Sequence, residues 1–151
     1  MNTRSRIAFW CYLLSIVGTG VVGLSFILRY EFMPYHSVAV GMPWSQVPDP
    51  FQILIMGLLR LAGGAWFTVA IAELWLLLIP FRQGARWAIW AVPAVGLLHY
   101  AGVANAMAHV TLNTDAVPPW GPSMVSVVLI LTGAALSIPG GATRDPAPRV
   151  R

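Results

Sequence analysis

The chain has 151 residues, of which 58% are hydrophobic and only 9% are charged, and its mean hydropathy is +0.72. Soluble domains carry roughly a quarter charged residues, so these values exclude a soluble globular protein. The nine basic residues, all arginine, exceed the five acidic ones and give a formal net charge of +4. They lie in short clusters beside apolar runs and form no continuous basic stripe, so we expect no binding to nucleic acid.

Four apolar stretches are long enough to cross a bilayer as helices. They cover about residues 7–28, 51–79, 87–108 and 123–138. About 20 residues suffice for a span, so the second stretch is longer than necessary and the fourth is near the lower limit. The pattern predicts an all-α, polytopic membrane protein. It has one four-helix domain over residues 1–141 and a short, disordered cytoplasmic tail over residues 142–151.

The arginines near the ends of the spans predict the orientation of the protein. Seven of them fall on one side of a four-span chain, whereas the loops on the other side contain only Arg29. We therefore expect both termini in the cytoplasm. The first stretch is too long for the apolar region of a signal peptide and lacks a small-residue cleavage site, so we expect it to be retained. The seven arginines are Arg4, Arg6, Arg82, Arg86, Arg144, Arg149 and Arg151.

Small residues recur at the spacing of helix-packing faces in all four stretches. Gly18, Gly20 and Gly23 also match the spacing of a dinucleotide-binding fingerprint, but that motif works only between a strand and a helix. In an apolar helix we interpret these glycines as a packing face. Similar faces in the other three stretches also predict a tight bundle. They comprise Gly57 and Gly64 in the second stretch, Gly102 and Ala106 in the third, and Ser126, Gly133 and Ser137 in the fourth.

Three polar residues fall at comparable depths in the predicted spans. Arg60 in the second span and His99 and Asn105 in the third are expected in the outer half of the membrane, where polar side chains are costly. One interpretation is structural, with Arg60 extending to the interface and the other two joining helices by hydrogen bonds. The other is a polar pocket for an anionic or quinone-like head group.

Glu73 is the second charged residue inside a predicted span, near its cytoplasmic end. It is too far along the helix to pair with Arg60. We predict an interfacial ion pair with Arg82 or Arg86 from the following turn, which would fix the hairpin of the second and third spans. A proton relay would require further titratable groups at membrane depths between those of Glu73 and His99, and the predicted spans contain none there.

The sequence predicts no catalytic constellation, metal site or cofactor. No serine, cysteine or histidine arrangement suggests a nucleophile with its base. The histidines and aspartates of the outer loops lack the spacing of metal ligands. The single cysteine, Cys11, cannot form an internal disulfide or build a zinc site alone.

Three segments carry a resemblance to small bacterial four-helix membrane proteins that have no assigned activity. They are Met33-Pro34-Tyr35-His36, residues 59–64 (Leu-Arg-Leu-Ala-Gly-Gly), and residues 79–88 (Ile-Pro-Phe-Arg-Gln-Gly-Ala-Arg-Trp-Ala). The four-span layout and the arginine followed by two glycines also resemble DoxX-like proteins, some of which accompany quinone-linked oxidoreductases. The resemblance implies a bacterial cytoplasmic membrane and transfers no catalytic residue.

Three functional hypotheses follow from these features. The first is a non-catalytic accessory or assembly component of a membrane complex, with other membrane-protein subunits or a second copy as partners besides the bilayer. The second is a binding or carrier protein for a lipid, quinone or small amphiphile. The third is a membrane enzyme acting on a lipidic substrate, with His99 as its general base.

Overall fold

The computed structural model describes residues 2–138. This part of the chain is helical and contains no strand, and four of its helices are long and apolar enough to cross a membrane. The predicted all-α fold with four spans is therefore confirmed, whereas the tail predicted at 142–151 lies outside the described residues. The helices are α1 (Thr3–Ile27), α2 (Pro34–Val40), α3 (Asp49–Leu76), α4 (Ala88–Asn113) and α5 (Trp120–Ser137).

The second span is the longest because α3 continues into a π-helical turn, Leu77–Phe81, and the two together cover 33 residues. Pro80 lies in this turn and has no N–H to donate, so regular α-helical hydrogen bonding ends there. The third and fourth spans also differ from the prediction. Helix α4 extends beyond residue 108 to Asn113, and α5 begins at Trp120, before residue 123.

Helix α1 lies at the centre of the bundle. It packs along both α3 and α5, and α4 packs against α5, while α3 and α4 share a smaller interface. The largest fully buried side chains include Tyr12, Leu77 and Val92, all towards the end of the bundle that carries the N-terminus of α1 and the turn between α3 and α4, which we call the inner end. The inner half of the bundle is therefore filled by a packed core, and the outer half is packed less completely.

The closest helix contact joins Gly23 of α1 to Gly63 of α3. A Cβ added to Gly63 would lie 2.7 Å from the carbonyl oxygen of Gly23, and one added to Gly23 would lie 2.9 Å from that of Gly63. The predicted packing role of Gly23 is confirmed, because only residues without a side chain let two backbones approach so closely. Gly133 of α5 has a similar role, since an added Cβ would lie 2.8 Å from the Tyr12 ring.

The same packing role is predicted for Gly57, Gly64 and Gly102, but no helix within residues 2–138 packs against them. A Cβ added at any of these three positions would meet no atom within 4 Å. Small residues permit close packing but do not enforce it, because a neighbouring helix must also be present. In this bundle the space beside these glycines is open.

We expect Gly63→Ala to destabilise the bundle by about 1–3 kcal/mol, because the added methyl group meets backbone and Cβ atoms of α1 that cannot move separately. Unfolding of the purified protein in detergent would measure the change. The matched control is Gly57→Ala on the same helix, which removes a flexible glycine without creating a contact. Equal stability of the two variants would contradict the close α1–α3 contact.

Candidate functional site

A cavity of about 990 Å³ occupies the outer half of the bundle. Residues from all four spans line it, and on α1 they run from Leu14 to Phe26, which corresponds to about 18 Å along the helix axis. Most of its lining residues are apolar. We call this space the outer cavity. Its volume lies at the upper end of the range typical of small-molecule sites, about 300–1,000 Å³.

The outer cavity opens to the surface that faces lipid. Its lining includes Leu14 and Val21 of α1 and Val125 of α5, which are 58%, 60% and 60% exposed on the outside of the bundle. Apolar side chains so exposed on spanning helices contact acyl chains in a bilayer. A molecule dissolved in the membrane can therefore reach the outer cavity laterally.

His99 of α4 is the central polar group of the outer cavity. Its ring packs edge-on against the indole of Trp66 from α3, with the ring centroids 4.6 Å apart and the planes at 85°. Its Nε2 atom is buried and has no hydrogen-bond partner. An unpaired buried polar atom is costly, and because this nitrogen is inaccessible from the open space of the cavity, it faces protein atoms although the ring itself lines the cavity.

The neighbouring Tyr100 is satisfied within the protein. Its hydroxyl lies 2.9 Å from Thr19 Oγ1 of α1, which is fully buried. Thr19 donates its only hydroxyl hydrogen to the Ser15 carbonyl oxygen at 3.0 Å, so Tyr100 donates to Thr19. This chain of hydrogen bonds joins α4 to α1 at the floor of the outer cavity and holds the adjacent His99 backbone in place.

The structure does not bring the three residues of the predicted polar pocket together. Of the three, only His99 lines the outer cavity; Arg60 and Asn105 are exposed and point elsewhere. The reason is helical geometry, since two residues along a helix correspond to a rotation of about 200°. Ala62 and Val103 line the cavity, and Arg60 and Asn105, each two positions away, face outward.

Arg60 lies within α3, more than two turns from its first residue, and its depth can be compared with that of α1. Its helical neighbour Gly63 contacts Ile27 in the last turn of α1, and Arg60 is about one turn further outward. The apolar part of α1, residues 7–28, spans about 33 Å, close to the thickness of the hydrocarbon layer. Arg60 is therefore level with the outer end of α1.

Glu73 is 4% exposed and faces α4 rather than the cytoplasmic turn. A Cβ added to Gly96 of α4 would lie 2.8 Å from its Oε1 atom, so the glycine leaves room for the carboxyl group. Arg82 and Arg86 are exposed, and no salt bridge joins either of them to Glu73 within residues 2–138. The structure thus separates the members of the predicted ion pair, because Glu73 points into the bundle and the arginines point to water.

Helix α2 covers the outer end of the cavity, which Met33 and Tyr35 line. The backbone N–H of Met33 donates to Nδ1 of His36 at 3.2 Å, and this bond caps the first turn of α2. Burial, together with the positive charge of Arg29, lowers the pKa of His36. Burial also raises the pKa of Tyr35, against a smaller opposing effect of Arg29.

Protein-family models, curated proteins and solved structures were compared with the chain, and none of them matches it. The resemblance to small bacterial four-helix membrane proteins and to DoxX-like proteins therefore stays a prediction. The fold itself defines the class: this is a multi-pass helical membrane protein.

Sequence reasoning missed Trp66, Tyr100 and Thr19, which surround His99. A partial signal was present, because His99, Val103 and Met107 recur at helical spacing with Tyr100 beside them. That spacing alone is equally typical of a packed core. Thr19 stands among glycines, and only the glycines are interpreted in the sequence analysis.

We expect acidification to weaken α2, because a protonated His36 Nδ1 cannot accept the bond from Met33. The folded-state pKa of His36 lies below its ordinary value, so the cap contributes stability above the unfolded-state pKa of about 6.5 and is lost as the pH falls through the lower, folded-state value. Amide chemical shifts of α2 in a pH titration would detect the loss. The same acid transition in His36→Gln would contradict this assignment.

Proposed function

We propose that the protein binds a small amphiphile drawn from the bilayer and holds it in the outer cavity, as a binding or carrier protein. The observation that carries this proposal is a largely apolar cavity of about 990 Å³ that opens to lipid and is lined by the aromatic rings of Trp66, His99 and Tyr100. An apolar cavity with few placed polar groups is the usual form of a small-molecule site.

The placement of His99 supports a specific binding mode. The ring is held between Trp66 and Tyr100, with ring centroids 4.6 Å and 5.2 Å away, so its orientation is set before a ligand arrives. A preorganised group loses little conformational entropy on binding. The tail of an amphiphile would fill the apolar remainder of the outer cavity, and its polar end would meet His99.

We further propose that the membrane is a bacterial cytoplasmic membrane and that both termini lie in the cytoplasm. The resemblance to small bacterial membrane proteins supports the first point. The exposed positions of Arg4, Arg6, Arg82 and Arg86, near one end of the bundle, support the second, since arginine is enriched in cytoplasmic loops.

We expect Gly102→Phe to abolish retention of the amphiphile. Gly102 lines the outer cavity with no atom within 4 Å of an added Cβ, so the phenyl ring can occupy the cavity without displacing the helices. Gly57→Phe is the matched control, because Gly57 is equally open but lies outside the cavity. Native mass spectrometry from gentle detergent, with extraction of lipids from the same sample, would compare the two variants with the wild type.

A bound small molecule in the wild type and in Gly57→Phe, but not in Gly102→Phe, is the expected result. If all three proteins retain the same molecules in the same amounts, those molecules lie on the outer surface and the proposal is wrong. If the wild type carries none from its native membrane, the proposal is equally wrong for that membrane.

An accessory role in a membrane complex is the second candidate, and one observation favours it. Gly57 and Gly64 lie on a face of α3 that no helix within residues 2–138 covers, with Arg60 between them. Small residues on such a face allow another helix to approach closely. The partner would be another membrane-protein subunit or a second copy of the chain.

We expect the double variant Gly57→Leu, Gly64→Leu to lose a copurifying polypeptide if the accessory role holds, because the two side chains block the approach of a helix. Gly102→Leu is its control on α4. Affinity purification in mild detergent followed by mass spectrometry would identify the partner. Isolation of the wild type as a lone monomer would count against this role.

A further inference from the structure

A second, smaller cavity of about 270 Å³ lies at the inner end of the bundle. Its lining combines the turn between α3 and α4 with Ser5, near the start of α1, and Ser137, the last residue of α5. We call this space the inner pocket. At about 30 Å³ for each water molecule, it has room for roughly nine water-sized groups, enough for a phosphate group and the glycerol attached to it.

The inner pocket lies at a surface of the membrane. Residues 82–87 join the second span, Asp49–Phe81, to the third, Ala88–Asn113. Because each span crosses the hydrocarbon layer completely, the turn between two successive spans emerges from that layer. Arg82 and Gln83 of this turn line the pocket and are exposed. Their side chains are therefore accessible to water and to lipid head groups.

The polar side chains of the inner pocket that remain free are mainly hydrogen-bond donors. The hydroxyl group of Ser5 donates to Asn2 Oδ1 at 2.9 Å, and that of Ser137 donates to a main-chain carbonyl oxygen at 2.7 Å. Each hydroxyl carries one hydrogen, so neither serine has another to offer. The side chains of Arg82 and Gln83 make no hydrogen bond within residues 2–138. A ligand of this pocket is therefore offered N–H groups and has to supply acceptor atoms.

The inner end carries a positive charge that the described residues do not compensate. Four exposed arginines lie there, and none of them forms a salt bridge within residues 2–138. Of the acidic residues in this part of the chain, Glu73 is buried against α4, and Glu31, Asp49 and Asp115 lie at the opposite end of the bundle. A bound anion would act as the missing counter-ion. The four arginines are Arg4, Arg6, Arg82 and Arg86.

We propose that the inner pocket binds a phosphate group without a positive partner, as carried by the head group of an anionic phospholipid or by a soluble phosphate ester, with Arg82 as its main ligand. The planar guanidinium can donate two parallel hydrogen bonds to phosphate oxygens. The neighbouring arginines add an attractive potential that extends about 8 Å at physiological salt. The same potential disfavours a choline head group, whose cation accompanies its phosphate. This site is separate from the outer cavity and does not depend on the function proposed for that cavity.

The test uses the purified full-length protein in mild detergent and two lipids with identical acyl chains, dioleoyl phosphatidylglycerol and dioleoyl phosphatidylcholine. Native mass spectrometry measures the fraction of protein that retains each lipid. The variants are Arg82→Gln and Arg86→Gln, each of which removes one arginine from the same turn. Only the first of these two arginines lines the inner pocket, so Arg86→Gln is the matched control for loss of charge.

We expect the wild type to retain phosphatidylglycerol about tenfold better than phosphatidylcholine, and Arg82→Gln to lose about tenfold of this binding, the contribution of a charge-assisted hydrogen bond. We expect Arg86→Gln to weaken retention by less than about threefold, and this smaller effect to disappear at higher salt, which screens exposed charges. Equal losses in the two variants would show a general attraction to the basic surface and would overturn the proposal. Equal retention of the two lipids by the wild type would also overturn it.

Glycerol phosphate distinguishes the two sources of the phosphate group. If an excess of it displaces phosphatidylglycerol from the wild type, the phosphate group alone is sufficient and a soluble ester is a ligand of the pocket. If it does not, the acyl chains contribute to binding and the ligand is a lipid. Both results support a phosphate site, provided that Arg82→Gln is the variant that weakens binding. Should Arg82→Gln fail to fold, Arg82→Lys keeps the charge but loses the paired hydrogen bonds, and unchanged retention by that variant would overturn the role of the guanidinium.

Discussion

The contact between Gly23 and Gly63 is the constraint on which the rest of the bundle depends. Lipid chains are as apolar as leucine, so helices in a membrane gain nothing from hydrophobic exclusion and associate through close packing. Here the carbonyl oxygen of each glycine lies where a side chain of the other would be, which holds α1 against α3. Helix α1 also packs against α5, which packs against α4, and no element within residues 2–138 fills the outer cavity.

Two polar side chains at neighbouring positions of α4 illustrate how the bundle treats polar groups in an apolar setting. Tyr100 is bound to Thr19 and so links α4 to α1, whereas the Nε2 atom of His99 has no partner inside the described chain. In a medium of low dielectric a satisfied hydrogen bond is strong and an unsatisfied group is costly. The contrast shows that Tyr100 links two helices, whereas His99 contributes its ring to the lining of the outer cavity.

Charged residues follow the rotation of their helices rather than their depth alone. Arg60 and Ala62 are two positions apart, yet Arg60 is exposed on the other side of the helix and Ala62 lines the outer cavity. Glu73 points inward, into the space that Gly96 leaves, and the arginines of the following turn point to water. Sequence analysis grouped Arg60 with His99, and Glu73 with Arg82 and Arg86, by their depth along the spans. The structure separates these residues because side chains at one depth can lie on different sides of their helices, depending on how α3 packs against its neighbours.

The sequence by itself determined the class of protein, because four apolar stretches of sufficient length have no other stable form than spanning helices. The position of His99 within the third apolar stretch also predicted a polar group inside a span. Only the tertiary structure decided what each small residue does, since Gly63, Gly57 and Gly102 look alike in sequence but lie in a tight contact, on an open face and beside a cavity, respectively. A missing side chain allows either close approach or empty space, and the choice depends on where the other helices lie.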